Sequence, residues 1–224
     1  MEANAMDKLR LRFSKTGRAI YISHLDLMHT LQRAFSRAGY RIRYSEGFNP
    51  HPYISIALPL SVCMSSVCEI LDFRLIGDAD LAEMPGKLNA ALPEGIQVAE
   101  AYEGERKCAE IKWLEVKGIF EYDHFSPEEA AGALTEFYFQ DQIIIQKKSK
   151  RGIAETDIRP MIRTITFQPA EGGCELMAVV SAQEPTLNPE LLADALRQLK
   201  PELAPDFSKF TRLEIYDSEM NIFR

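Results

Sequence analysis

Apolar and polar positions alternate along "KLRLRFSK" (8–15), where Leu9, Leu11 and Phe13 share one side and cations the other; this predicts a strand with a single buried face. The period changes after Ser23. Met28, Leu31, Phe35 and Ala38 recur at three and four residues, which predicts a helix with that stripe on the sheet. His24 falls on the same face, one turn before Met28, while Asp26, His29, Arg33 and Arg37 fall on the other. Ser23 is suited to cap the helix with Asp26 completing a capping box, and Gly39 to end it. "YRIRYS" then reads as a second strand, "EGFNPHP" as a turn, and "YISIALPL" and "CEILDFRLI" as further strands; "GRAIYI" suits an extra strand before the helix. A helix near Leu81–Leu92 and a strand near Ile96–Ala101 complete this half.

The second half repeats the order. "EIKWLEVKGIFEY" predicts a strand, and "SPEEAAGALTEFYF" a helix with Ser126 as cap, Pro127 at its first position and Glu129 closing the box. "QIIIQ", a basic loop, "MIRTITFQ" and "CELMAVVSAQ" follow, then a helix from "NPELLADALRQL" and a last strand, "FTRLEIYD". The expected fold class is α+β, two tandem ferredoxin-like (β-α-β-β-α-β) units: residues 1–105 with SHLDL and SEGFNPHP, and 106–224 with DIRP. Two unrelated α+β halves are the alternative. A right-handed crossover between the first two strands would place Ser23, His24 and Asp26 near "EGFNPHP", and "KKSKRGIAETDIRP" at the matching edge of the second unit.

Composition is that of a globular protein, 46% hydrophobic and 26% charged over 224 residues. No apolar run approaches the ~18 residues of a membrane span, so no membrane partner is expected. Residues 1–5, before Met6, are expected to be a disordered leader. Four cysteines without a CxxC pair suit free thiols and a cytoplasmic location. The net charge of −7 hides an uneven distribution: Lys8 to Arg43 holds nine cations against one acid, Asp26, and "KKSKRG" is a second basic cluster.

Several candidates for chemistry stand out. In "SEGFNPHP", Gly47 gives a permissive backbone, while Pro50 and Pro52 fix φ on both sides of His51, so Asn49 and His51 point in defined directions. A plain rigid turn with Phe48 folded onto the core is the competing reading. Arg33 and Arg37 have the i,i+4 spacing to share one anion. The candidate binding residues are Arg33, Arg37, Phe48, Asn49, His51, Lys150, Arg151 and Arg159; His24 and His51 are the candidate acid/base groups. Tyr21, Tyr40, Tyr44 and Phe48 among cations suit phosphate contact with base stacking. Glu69 and Asp72 have opposite parity on one strand and are not expected to share a site. No ligand spacing for a metal is present, and none is expected.

The run "SKTGRAIYISHLDLMHTLQRAFSRAGYRIRYSEGFNPHPYISIALPL", then "EILDFRL" and "DIRPMI", resembles the radical-SAM-linked family defined by the DUF2344 domain. That resemblance implies a radical SAM protein as partner. A radical SAM cluster needs three closely spaced cysteine thiolates, whereas Cys63 and Cys68 stand apart from Cys108 and Cys174; this chain is therefore expected to carry no cofactor of its own. Three readings follow. The first is a non-catalytic accessory module presenting an RNA or other anionic macromolecule to that partner, with an architectural likeness to repeat-associated RNA-processing proteins. The second is a purely protein-binding or structural subunit. The third is a metal-independent RNA-processing enzyme using His24 or His51.

Overall fold

The computed structural model describes residues 5–149 and 152–224. Two compact units divide the α+β chain, one running to Ala109 and taking in Arg224, the other from Glu110 to Phe223. Among the described residues no helix is long and apolar enough to cross a membrane.

The first unit contains β1 (Ala5–Lys15), a 3-10 turn (Gly17–Tyr21), α1 (His24–Arg37), β2 (Ile54–Ile56), β3 (Ser65–Ile76), α2 (Met84–Asn89) and β4 (Ile96–Glu103). Its strands lie in the order β4-β1-β3-β2, each neighbour antiparallel. Leu9, Leu11 and Phe13 of β1 and Leu71, Phe73 and Leu75 of β3 join Leu27, Leu31, Ala34 and Phe35 of α1 in one core. "GRAIYI" is a 3-10 turn and not a strand. Gly17 takes φ +53, and the buried Lys15 ammonium donates to the Ile20 and Ile22 carbonyls at 3.1 and 3.3 Å, folding the segment back over it.

Two expectations for α1 change. Met28 and Ala38 are only half-buried, and the deeply covered stripe is Leu27, Leu31, Ala34 and Phe35. His24 has the angle of the apolar face but is exposed: as the first helical residue it precedes Leu27, where cover by the core begins. The ends of α1 follow the sequence closely. The Ser23 hydroxyl oxygen accepts the Asp26 amide at 3.1 Å. At the other end the Tyr40 and Gly39 amides donate to the Phe35 and Ser36 carbonyls around Gly39 at φ +85, with the Tyr40 ring against Phe35.

The expected second strand is split. Ile42 bridges Leu75, Ile54–Ile56 pair with Phe73 to Leu71, and residues 45–51 leave the sheet between them. Pro50 and Pro52 have no N–H for a ladder, so the excursion falls where pairing is weakest. The helix expected near Leu81–Leu92 is also short. After it, the Asn89 amide exchanges two bonds with the Val98 backbone, at 2.9 and 2.7 Å, anchoring β4.

The second unit contains β5 (Trp113–Glu121), α3 (Pro127–Tyr138), β6 (Ile144–Ser149), β7 (Gly152–Asp157), β8 (Ile162–Ala170), β9 (Gly173–Ser181), α4 (Glu190–Leu199) and β10 (Phe207–Tyr216). Its sheet order is β10-β5-β9-β8, again antiparallel, and β6-β7 form a separate hairpin. Gly118 on β5 permits close packing: a Cβ there would meet the Phe210 ring at 2.8 Å and Leu176 at 2.9 Å. The buried Tyr138 hydroxyl donates to the Leu192 carbonyl and ties α3 to α4. At α3 the capping box is complete, with Glu129 donating its amide to Ser126 Oγ (3.3 Å) and accepting the Ser126 amide (3.2 Å). Those bonds from Ser126 hold the Glu129 carboxyl below its ordinary pKa.

These caps are measurable. Ser126→Ala should lower unfolding free energy by about 1 kcal/mol, and Ser126→Gly by only a few tenths of that. Urea unfolding of the three proteins checks the pair; equal stability of wild type and Ser126→Ala would show the cap to be dispensable.

Candidate functional site

The SEGFNPHP excursion is cross-braced. The Ser45 amide donates to the His51 carbonyl at 2.9 Å, the His51 amide donates to Ser45 Oγ at 3.0 Å, and Tyr44 bridges Pro52. Gly47 takes φ +121, open only to glycine at low strain. His51 Nδ1 lies 3.2 Å from the Asn49 carbonyl, a hydrogen bond when Nδ1 carries the proton. The Phe48 side chain is fully exposed (107%), so the competing reading, in which it folds onto the core, does not hold. Asn49 and His51 are exposed beside it, with Tyr44 at 53%.

The root of this loop does not meet the start of α1. Arg43 and Tyr53 bond the backbone of Arg74, whereas Lys15, at the end of β1 leading to α1, pairs with Ser66. Eight residues of β3 separate these levels, roughly 26 Å of strand. Ser23, His24 and Asp26 are thus remote from the loop root, because the excursion interrupts the second strand early instead of following it.

A different group assembles on the sheet face away from the helices. Register places Tyr102, Arg10, Asp72 and Ser55 side by side across β4, β1, β3 and β2, all with the parity opposite to the core residues. The Arg10 guanidinium is 2% exposed and grips Asp72 through two bonds, Nε to Oδ1 at 2.6 Å and Nη2 to Oδ2 at 3.0 Å. Nη2 also donates to the Arg106 carbonyl (3.1 Å), and the Cys108 thiol donates to Asp72 Oδ2 (3.2 Å). Burial, then the Asp72 charge and this hydrogen bond, push the Cys108 thiol up to about 11. Burial likewise raises the Tyr102 phenol to about 12.

Above this pair opens a cavity of about 390 Å³ lined by Lys8, Arg10, Tyr53, Asp72, Arg74, Gly104, Arg106 and Lys107, among others. The Arg74 guanidinium lies 4.6 Å over the Tyr53 ring. Sequence reasoning missed this group. The alternation in "KLRLRFSK" puts Arg10 off the core face, but its partner on β3 depends on register, which composition does not reveal.

The other candidates are dispersed. Arg33 and Arg37 are exposed on α1 and share a hollow of about 330 Å³ with Ala91–Pro93, where Arg37 Nη1 lies 3.5 Å from the Ala91 carbonyl. Lys150 and Arg151 lie outside the described residues. Arg159 donates Nη1 to the Ile162 carbonyl at 3.0 Å, while Asp157 Oδ1 accepts the Ile143 and Arg159 amides, closing the base of the β6-β7 hairpin. Glu69 is buried and Asp72 lines the cavity, on opposite faces of β3. Among the described residues no three His, Cys, Asp or Glu side chains cluster as metal ligands.

A family model described as "Uncharacterized protein conserved in bacteria (DUF2344)" matches residues 8–189. No curated protein matches the chain. Among solved structures, a chain from the crystal structure of a Cbf5-Nop10-Gar1 complex is similar at 11% identity and a TM-score of 0.54 over 93% of this chain. The present chain spans about half of that one (49%), and the likeness is one of fold alone. An unknown protein from Galdieria sulphuraria (12% identity, TM-score 0.27, covering 94% of this chain and 99% of that one) is far more distant. So is the acetolactate synthase small subunit from Thermotoga maritima (12%, 0.25, covering 91% and 92%).

Two thiols, the half-buried Cys108 and the buried Cys174, set a pH response. Cys108 and Cys174 are each held at about 11 in the folded chain, above the ordinary thiol value of 9.0. The unfolded chain therefore loses these protons first, and stability should fall as pH rises from about 9 to 11. Thermal unfolding across that range should show a declining Tm, with a shallower decline in Cys108→Ala/Cys174→Ala; identical slopes would refute the assignment.

Proposed function

We propose that this chain, which belongs to the DUF2344 family, is a non-catalytic accessory module that binds RNA and presents it to a radical SAM partner in the cytoplasm. In this reading its two units are ferredoxin-like and in tandem. The order β4-β1-β3-β2 of the first unit and β10-β5-β9-β8 of the second support that architecture, since both have the strand arrangement of a β-α-β-β-α-β chain, the second with the β6-β7 hairpin inserted after α3.

The observation that carries the proposal is the pairing of aromatic and cationic groups on one unit of an otherwise acidic protein. Arg74 stacks on Tyr53 at the cavity, Lys8, Arg106 and Lys107 line it, and the loop rooted at Arg74 holds Phe48 and Tyr44 out in solvent. A fully exposed phenylalanine on a braced loop forfeits the gain from burial, a loss that stacking on a nucleobase recovers. Phosphates of the same strand then suit the cations. Arg33 and Arg37 form a second basic patch on α1, on the opposite side of the sheet from the cavity. Asn49 and His51 flank Phe48 as hydrogen-bonding groups. The radical SAM partner rests on the family resemblance in "SHLDL", "SEGFNPHP" and "DIRP".

Anisotropy of a labelled single-stranded RNA over a salt series tests the proposal. Phe48→Ala should weaken binding on the order of ten-fold, the loss of one stacked base. Arg33→Ala/Arg37→Ala should lower the salt slope by about 1.4, two single-strand phosphate contacts. Absence of salt-dependent RNA binding by the wild-type chain, with retained binding to the radical SAM partner, would instead assign a purely protein-binding role.

A further inference from the structure

We infer that the cavity on the sheet face of the first unit is a nucleotide subsite that selects a base bearing an exocyclic amine over uracil. This inference deepens the RNA-binding reading and rests on it for the strand, though the same chemistry would hold a free nucleotide.

The argument begins with the polarity of the cavity. Its lining joins two carboxylates, Asp72 and Glu105, with the cations Lys8, Arg74, Arg106 and Lys107. A simple anion suits the cations but is repelled by the carboxylates. A ligand with hydrogen-bond donors at one end and a phosphate at the other matches both, and an amino-bearing nucleotide has that form. The volume, about 390 Å³, lies in the range of sites for small ligands, about 300–1,000 Å³.

The Asp72 carboxylate has one acceptor position to offer. Oδ2 takes Arg10 Nη2 and the Cys108 thiol, whereas Oδ1 takes Arg10 Nε alone. Each oxygen has two lone pairs, so Oδ1 retains one. The Asp72 side chain is 39% exposed although the Arg10 side chain paired with it is 2% exposed, so the carboxyl group is open to solvent or ligand. A single N–H of cytosine N4, adenine N6 or guanine N2 fills the remaining position on Oδ1. Uracil presents the O4 acceptor where cytosine presents its amine, and its one donor on that edge, N3–H, reaches Oδ1 only with the O2 and O4 carbonyls on either side of it, two acceptors set against a carboxylate.

The walls supply the remaining contacts. Tyr53, with Arg74 across one face of its ring, stands at one side. The other side is a strap: the Gly104 amide donates to the Lys8 carbonyl at 2.6 Å, at a bulge where Lys8 takes φ +63. A left-handed lysine inside a strand is uncommon outside glycine positions, and bulges re-aim side chains beside sites. Here the bulge places Lys8 on the cavity.

Titration of CMP, AMP and UMP into the full chain by ligand-observed NMR tests the subsite, with a parallel titration of oligouridine RNA by anisotropy. CMP and AMP should bind at least five-fold more tightly than UMP. Asp72→Asn, checked for folding by circular dichroism, should abolish that preference. Arg74→Ala should weaken CMP and UMP alike and leave their ratio unchanged; it keeps the test decisive if Asp72→Asn does not fold. Equal binding of CMP and UMP, or no binding of either, overturns the subsite, and salt-dependent binding of oligouridine in that case leaves the RNA reading standing. A CMP preference without binding of any RNA strand upholds the subsite for free nucleotides and overturns the RNA reading.

Discussion

The bidentate ion pair between Arg10 and Asp72 is the constraint around which the first unit is arranged. A guanidinium at 2% exposure is costly to bury, and its stability depends on a carboxylate in the right plane with further acceptors for its remaining N–H groups. Asp72 stands directly across the β1-β3 ladder, and the Arg106 carbonyl accepts a further bond. Slipping β1 by one residue would turn Arg10 into the core and Leu9 and Leu11 out of it, so the apolar pattern and the ion pair enforce one register together. Residues 104–108 are drawn over the sheet by the same pair, through Arg106, Cys108 and the Gly104–Lys8 bond. Without that strap there would be an open sheet face but no cavity.

The second constraint lies at the edge of the sheet. An edge strand with unpaired backbone invites association with another chain, and proteins commonly break such edges. Here the break is the SEGFNPHP excursion, where prolines remove donors from the edge and Ser45 and His51 brace the chain that leaves it. The same device that blunts the edge holds Phe48 in solvent on a fixed support. Interaction by such a loop costs little ordering entropy, because the backbone is already held.

In the second unit the excursion after α3 becomes a true hairpin, β6-β7, that docks. The Gln146 backbone exchanges bonds with the Gln198 side chain of α4 at 2.7 and 3.2 Å, and Asp157 closes the base. Similar element order therefore supports a docked hairpin in one unit and an exposed aromatic loop in the other. The difference lies in side chains: Gln146 has a partner on α4, whereas the first loop satisfies its backbone internally and leaves its apolar residue outside.

Local patterning carried much of the architecture. The alternation of Leu9, Leu11 and Phe13, the caps at Ser23 and Ser126, and Gly39 as a stop are decided by residues within a few positions of one another, so short-range sterics and hydrogen bonding suffice to read them. The stiffness of SEGFNPHP was legible for the same reason. Three features were not. "GRAIYI" has the composition of a strand, but a buried Lys15 needs its carbonyls. His24 has the helical angle of the core, but the core begins at Leu27. The excursion interrupts the second strand because β3 pairs on both sides of it. The cavity lies furthest from the sequence: Arg10 and Asp72 are 62 residues apart, with Gly104 and Cys108 further along the chain. Which strand residues face one another depends on register and strand order, and these are settled only when the whole core packs.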